Sequence, residues 1–159
     1  RACDDAKEAI HADAEKHELR DCKIVAIHKI SGWLVYVKDI HPGLEPSVDC
    51  LSPNVVVVNT PHYIDGPIVT ENSPLMYFLT DGSDDRRTYQ QLVVLDMKTT
   101  EIASFELGDE DSEARFVKII GLRDGILSFR AEWRLVDYIY NTEHQIEAQQ
   151  FEKATLKSD

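Results

Sequence analysis

The sequence predicts a mainly β fold of antiparallel hairpins with one N-terminal α-helix, in a single domain over residues 1–159. Three observations carry that expectation. Short runs of β-branched and aromatic residues recur along the chain, the clearest being VVVV at 55–58 and LVVLD at 92–96. Compact turn signals separate them, among them Ser31-Gly32 and Arg123-Asp124-Gly125. Residues 4–19 (DDAKEAIHADAEKHEL) have a different composition, dominated by alanine and straight-chain charged residues. The chain has 159 residues, 43% apolar and 29% charged, which suffices for one domain with a hydrophobic core.

Taken in order, 4–19 reads as the helix. Asp4 and Asp5 stand where the helix dipole favours negative charge. Ala6, Ala9, Ile10 and Ala14 form a thin apolar stripe, so the helix is expected at the edge of the domain. The antiparallel β region then covers 23–152. KIVAIHKI (23–30) and WLVYVKD (33–39) make a hairpin about Ser31-Gly32. Residues 41–53 read as a loop because of three prolines and a glycine. The run 55–58 fits a fully buried strand, and 60–74, again with three prolines, reads as a second loop. Residues 75–79 are a strand and 81–88 a polar turn. The hairpin YQQLVVLD–MKTT–EIASFEL follows over 89–107, then the acidic loop GDEDSE at 108–113. RFVKIIGL and ILSFRAEW pair about Arg123-Asp124-Gly125, and RLVDYIY–NTEH–QIEAQQFE is read as a last hairpin with its turn at 141–144.

Two of these hairpins look alike. Leu92-Val93, the turn 97–100 and Ile102 match Leu135-Val136, the turn 141–144 and Ile146, a degenerate repeat of about 43 residues; Trp33-Leu34-Val35 opens a more degraded third copy. LVVLDMKTTEIASFEL resembles the outer hairpin of a β-propeller blade, and the resemblance extends over roughly residues 75–152. The chain is too short for the four blades of a complete propeller. The resemblance therefore implies a twisted sheet, a two-sheet sandwich or a partial propeller-like arrangement.

Charge narrows the function. There are 29 Asp and Glu against 17 Lys and Arg, a formal charge of −12. Phosphate backbones are bound through clustered Lys and Arg, and here the nearest cluster, Arg86-Arg87, follows Asp84 and Asp85. Nucleic acid and anionic membrane are excluded on that ground, and no stretch approaches the roughly 18 apolar residues of a membrane span. A basic protein would be attracted, although charge of this kind also simply maintains solubility. The chain begins at Arg1, in keeping with removal of a leader. A periplasmic or secreted protein is expected, with a cytoplasmic one as the alternative.

Cys3, Cys22 and Cys50 contain no Cys-x-x-Cys pair. A helix between Cys3 and Cys22 would hold them roughly 20 Å apart, so Cys22–Cys50 or Cys3–Cys50 is the expected disulfide; three inert thiols is the alternative. His41 and His62, with Asp65, could form an acid–base or metal site if the two proline-rich loops met; solvated loop side chains are the alternative. Asp81, Asp84 and Asp85 lack the spacing of a calcium loop. No nucleophile elbow or phosphate loop is present, so neither a catalytic residue, nor a metal, nor a cofactor is predicted. Trp133 shares a face with Phe129, Ala131 and Leu135 and is expected in the core, whereas Trp33, Tyr36 and Tyr63 are candidate interface aromatics.

These features make an acidic protein-binding module the leading expectation. In type, though without a shared motif, the chain resembles the immunity proteins that bacteria keep against their own antibacterial toxins, such as secreted cell-wall hydrolases. That resemblance implies an inhibitor, monomeric or homodimeric, that covers the active site of a basic partner. The partner-binding residues would be His41, His62, Tyr63, Asp65, Asp81, Asp84, Asp85, Asp109, Glu110 and Asp111. A small enzyme or ligand-binding protein using the loop histidines and carboxylates is one alternative. A subunit pairing through an open sheet edge is the other.

Overall fold

A computed structural model describes residues 24–30, 32–41, 43–69, 73–109, 114–134 and 136–148. The expected helix at 4–19 lies outside these residues. Within them the protein is all-β, with eleven strands: β1 Ile24–Ile30, β2 Trp33–Ile40, β3 Ser47–Ser52, β4 Val55–Pro61, β5 Tyr63–Val69, β6 Leu75–Ser83, β7 Thr88–Asp96, β8 Glu101–Asp109, β9 Ala114–Arg123, β10 Ile126–Arg134 and β11 Ile139–Glu147. They form three open sheets, ordered β1-β2-β4-β3, β5-β6-β7-β8 and β11-β10-β9.

The sheets stack face to face, and two cores result. Val35, Val37, Val56 and Val58 of the first sheet pack on Met76, Phe78, Val93 and Leu95 of the central one. The opposite face of the central sheet presents Leu75, Tyr77, Leu79, Leu92 and Val94 to Ile119, Leu127 and Phe129 of the third. The central sheet is therefore apolar on both faces, which is why β6 and β7 read as unbroken apolar runs rather than alternating ones. The outer sheets alternate, as strands with one solvated face do.

Several expectations give way here. Residues 41–53 are not one loop: β3 occupies Ser47–Ser52. Pro46 and Pro53 misled because they bracket the strand instead of interrupting it. Residues 60–74 contain β5, whose Pro67 is tolerated because β5 is an edge strand with bulges on either side of Asp65. β4 pairs parallel with β2, since β3 turns back and places β4 between them, so the first sheet is not purely antiparallel. β6 runs through Ser83, which shortens the polar turn to 84–87.

The last hairpin also differs. Residues 141–144 lie inside β11, and the chain reverses at 135–138, with Trp133 opposite Tyr140 and Arg134 opposite Ile139. The polar NTEH sequence mimics a turn, but Thr142, His144 and Ile146 alternate inward along one face of the third sheet. In consequence the 43-residue repeat equates a genuine turn, 97–100, with strand residues, and it does not mark equivalent hairpins.

The stacking aligns the strand ends. At one end lie the tight turns: Gly32, Pro53-Asn54, 97–100 and Asp124-Gly125. At the other lie the less regular pieces: 41–46, His62, 84–87 and 135–138.

Candidate functional site

The irregular end gathers most of the chemistry-bearing residues that are described. His62 forms the bend between β4 and β5 with φ 45°. Its amide donates to the Ile40 carbonyl at 2.9 Å, and its carbonyl accepts from the Asp81 amide at 3.1 Å. One residue of chain thereby links the first and central sheets. The His62 ring stands 3.5 Å from the Asp81 carboxylate, and Arg115 of β9 donates to the same oxygen, Oδ2, at 3.1 Å. Asp81 Oδ1 is buried and has no hydrogen-bond partner, an uncommon state for a carboxylate oxygen.

Beside this junction runs a groove of about 370 Å³ between residues 43–46 and the β6–β7 turn, lined among others by Glu45, Asp84, Asp85 and Tyr89. Gly82 makes its shape possible: a Cβ there would stand 2.6 Å from the Tyr89 ring. The turn is internally braced. The Asp84 Oδ1 accepts from the amides of Arg86 and Arg87 at 2.8 and 3.0 Å. Those two amides, helped by the nearby guanidinium groups, hold the Asp84 carboxyl below the usual carboxylate range. Arg87 grips Glu106 through two bonds, at 2.9 and 2.6 Å, and its guanidinium lies 4.9 Å from the Tyr89 ring centroid. The Arg87 hydrogen bond likewise lowers Glu106. The acids of this groove are thus charged at neutral pH, and Asp85 extends from an exposed position.

The third sheet contributes an aromatic cluster to the same end. Trp133 and Tyr140 stack with centroids 6.0 Å apart and planes 5° from parallel, and Tyr138 lies 5.9 Å from Tyr140. The Trp133 indole donates to Thr142 Oγ1 at 2.7 Å, and that hydroxyl is 3.0 Å from the His144 ring, so the stack is oriented from below. Tyr138 is 59% exposed and Val136 fully exposed, in contrast to the buried aromatics of the two cores.

No protein family, curated protein or solved structure matches this chain. What it can do rests on its own geometry.

The predicted site residues divide into three groups. Asp81, Asp84, Asp85 and His62 meet at this end. His41 is adjacent, but its ring accepts the Gly43 amide at 3.0 Å and so shapes the 41–46 turn. Tyr63 and Asp65 are structural. The Tyr63 hydroxyl donates to the Gly66 carbonyl at 2.8 Å and its amide to Asp39 at 2.9 Å. Burial, and then the Asp65 charge, push that hydroxyl above its ordinary pKa. Asp65 accepts the Ile119 amide at 2.8 Å and ties the central sheet to the third. His41, His62 and Asp65 therefore serve three separate partners instead of one acid–base site. Asp109 pairs with Tyr89 at the end of β8, while Glu110 and Asp111 lie outside the described residues. Cys50 is disulfide-bonded; Cys3 and Cys22 are both outside the described residues.

Sequence reasoning missed the aromatic cluster. It placed Trp133 in the core from strand alternation, yet Trp133 sits where the third sheet projects past its neighbour and is only half-buried. The signal that could have found it is DYIY at 137–140, three bulky side chains where a turn needs small ones. Among the described residues no group of three or more His, Cys, Asp or Glu could hold a metal ion, and no helix is long and apolar enough to cross a membrane. An apolar cavity of about 370 Å³ opens at the tight-turn end, bordered by Ile30, Trp33, Met76 and Met97, without a convergent set of polar groups.

Proposed function

We propose that this chain is a non-catalytic, acidic protein-binding module, and more concretely an inhibitor of the immunity type that covers the active site of a basic toxin or hydrolase. The observation that carries the reading is the meeting, at one end of the stack, of a charged acidic groove and an exposed Trp–Tyr–Tyr cluster. Aromatic anchors supply most of the energy of protein interfaces, and peripheral acids steer a cationic partner and speed its approach. The groove is braced by its own hydrogen bonds before any partner arrives, which lowers the ordering cost of binding.

The finer fold reading, a partial propeller-like arrangement, is supported by the sequential meander order β5-β6-β7-β8 followed by β9-β10-β11, packed face to face. The Cys50 disulfide supports an oxidising compartment, hence the periplasmic or secreted location. The enzyme reading has little left to stand on, because its three side chains are engaged separately.

The test uses the full chain as bait in extract of its native host, beside a charge-reversed Asp84→Lys/Asp85→Lys chain and a Tyr140→Ala chain. A protein retained by the unaltered chain and lost from both variants, with its hydrolytic activity blocked on addition of the unaltered chain, is the expected result. Identical retention by all three chains would refute the reading. Solution mass of the isolated chain separates monomer from homodimer.

A further inference from the structure

The face of the first sheet that points away from the stack holds a contradiction. Val56 and Val58 face the central sheet, so Val57, between them, points outward. It is nevertheless only 4% exposed, and Leu51, at the bulge of neighbouring β3, is 3% exposed. Neither belongs to either hydrophobic core. At the other margin of the same sheet Val25 and Ile27 are 41% and 59% exposed, so the cover lies over β3 and β4 and stops short of β1.

The Cys50 disulfide shows what the cover is. Its partner is Cys3 or Cys22, the two other cysteines of the chain. Cys22 precedes β1 by two residues. Cys50 is level with Val56, Val35 and His28 across the sheet, whereas Ile24 is level with Lys38, Asn59 and Ser47. Cys50 thus lies three strand spacings from β1, about 14 Å, and three residues along, about 10 Å, or roughly 17 Å from Ile24. Two extended residues reach about 7 Å, and a disulfide tolerates at most about 7 Å between Cα atoms. Cys22 falls short. Cys3 has ample chain, since residues 4–19 as a helix would span about 24 Å, enough to cross the sheet.

We infer that residues 4–19 lie across the outward face of β3 and β4, with the Ala6, Ala9, Ile10, Ala14 stripe on Val57 and Leu51, fastened by a Cys3–Cys50 disulfide that leaves Cys22 a thiol. The bond forms by thiol–disulfide exchange. A protein disulfide carrier takes two electrons from the Cys3 and Cys50 thiols, the S–S bond forms between them, and the carrier leaves as a dithiol.

Two measurements on the full chain, purified without reductant, decide this. Free thiols are alkylated and the protein is digested with trypsin, which cleaves between Cys3 and Cys22. The expected result is a peptide pair joined through Cys3 and Cys50, with the alkyl group on Cys22. A Cys22–Cys50 or Cys3–Cys22 pair, or an alkylated Cys50, overturns the assignment. In methyl NMR spectra, a cross-peak between Ile10 and Val57 or Leu51 is expected. Its absence with those methyls assigned, or a cross-peak to Ile27 in its place, overturns the placement.

Discussion

The two ends of the stack obey different rules. At one end the strands are joined by minimal turns, and the strained backbone they need is supplied locally: Gly32 at φ 84°, Asn54 at 66°, Thr100 at 60°, Asp124 at 53° and Gly125 at 77°. Asp96 closes the 97–100 turn with its carboxylate on the Lys98 amide at 2.9 Å, and Asn54 gives its carbonyl to the Leu34 amide at 2.8 Å. Nothing there projects. At the other end the connections are irregular, they bring charge and aromatic surface together, and one strand hairpin extends past its neighbours. The first end holds the fold in register; the second displays side chains. Substitutions should therefore separate, with stability lost at one end and binding at the other.

The largest effect belongs to neither end. Phe78 is fully buried in the sheet that both ends share. Phe78→Ala is expected to lower stability by about 3–5 kcal/mol, read from the denaturant midpoint, and to loosen both ends together in one transition. Two separate transitions would break the comparison at its root. Next comes Tyr140→Ala. Truncating an anchor of this type costs about 2 kcal/mol of binding, roughly thirtyfold in Kd with the captured partner, and about 1 kcal/mol or less of stability. At the opposite end Gly125→Ala should reverse that pattern. The Cβ meets no neighbour, so the cost is the positive φ alone, about 1 kcal/mol of stability with Kd unchanged.

How far the sequence revealed the molecule follows the same division. β1, β2 and β7 to β10 are legible because their turns are short and chemically marked and their apolar periods match their surroundings. The irregular end defeats local rules. Pro46 and Pro53 flank β3, Pro67 sits inside an edge strand, and NTEH at 141–144 has turn composition but strand geometry because its alternate side chains pack inward. The parallel pairing of β2 with β4 is a long-range event that no window of sequence displays. For the site, the acids at 81–85 were visible as composition. Their junction with His62 and Arg115, and their proximity to Trp133 and Tyr140, arise only from the stacking of three sheets.

The smallest expected effect is electrostatic and local to the irregular end. Asp84 and Glu106 both have folded pKa values below their ordinary ones. Whatever they add to the turn is present above the ordinary carboxylate range and is lost as pH falls through the lowered values. A carboxyl-carbon NMR titration should find both depressed. Arg87→Ala should return Glu106 most of the way up while Asp84 stays low, because Asp84 is held first by backbone amides.

The central claim is that the irregular end is the working end. Hydrogen exchange measured on the chain alone and with its captured partner tests it most directly. The claim predicts new protection at 43–46, 82–87 and 133–140, with 97–100 and 124–125 unchanged. Protection confined to the tight turns at 97–100 and 124–125 would contradict it.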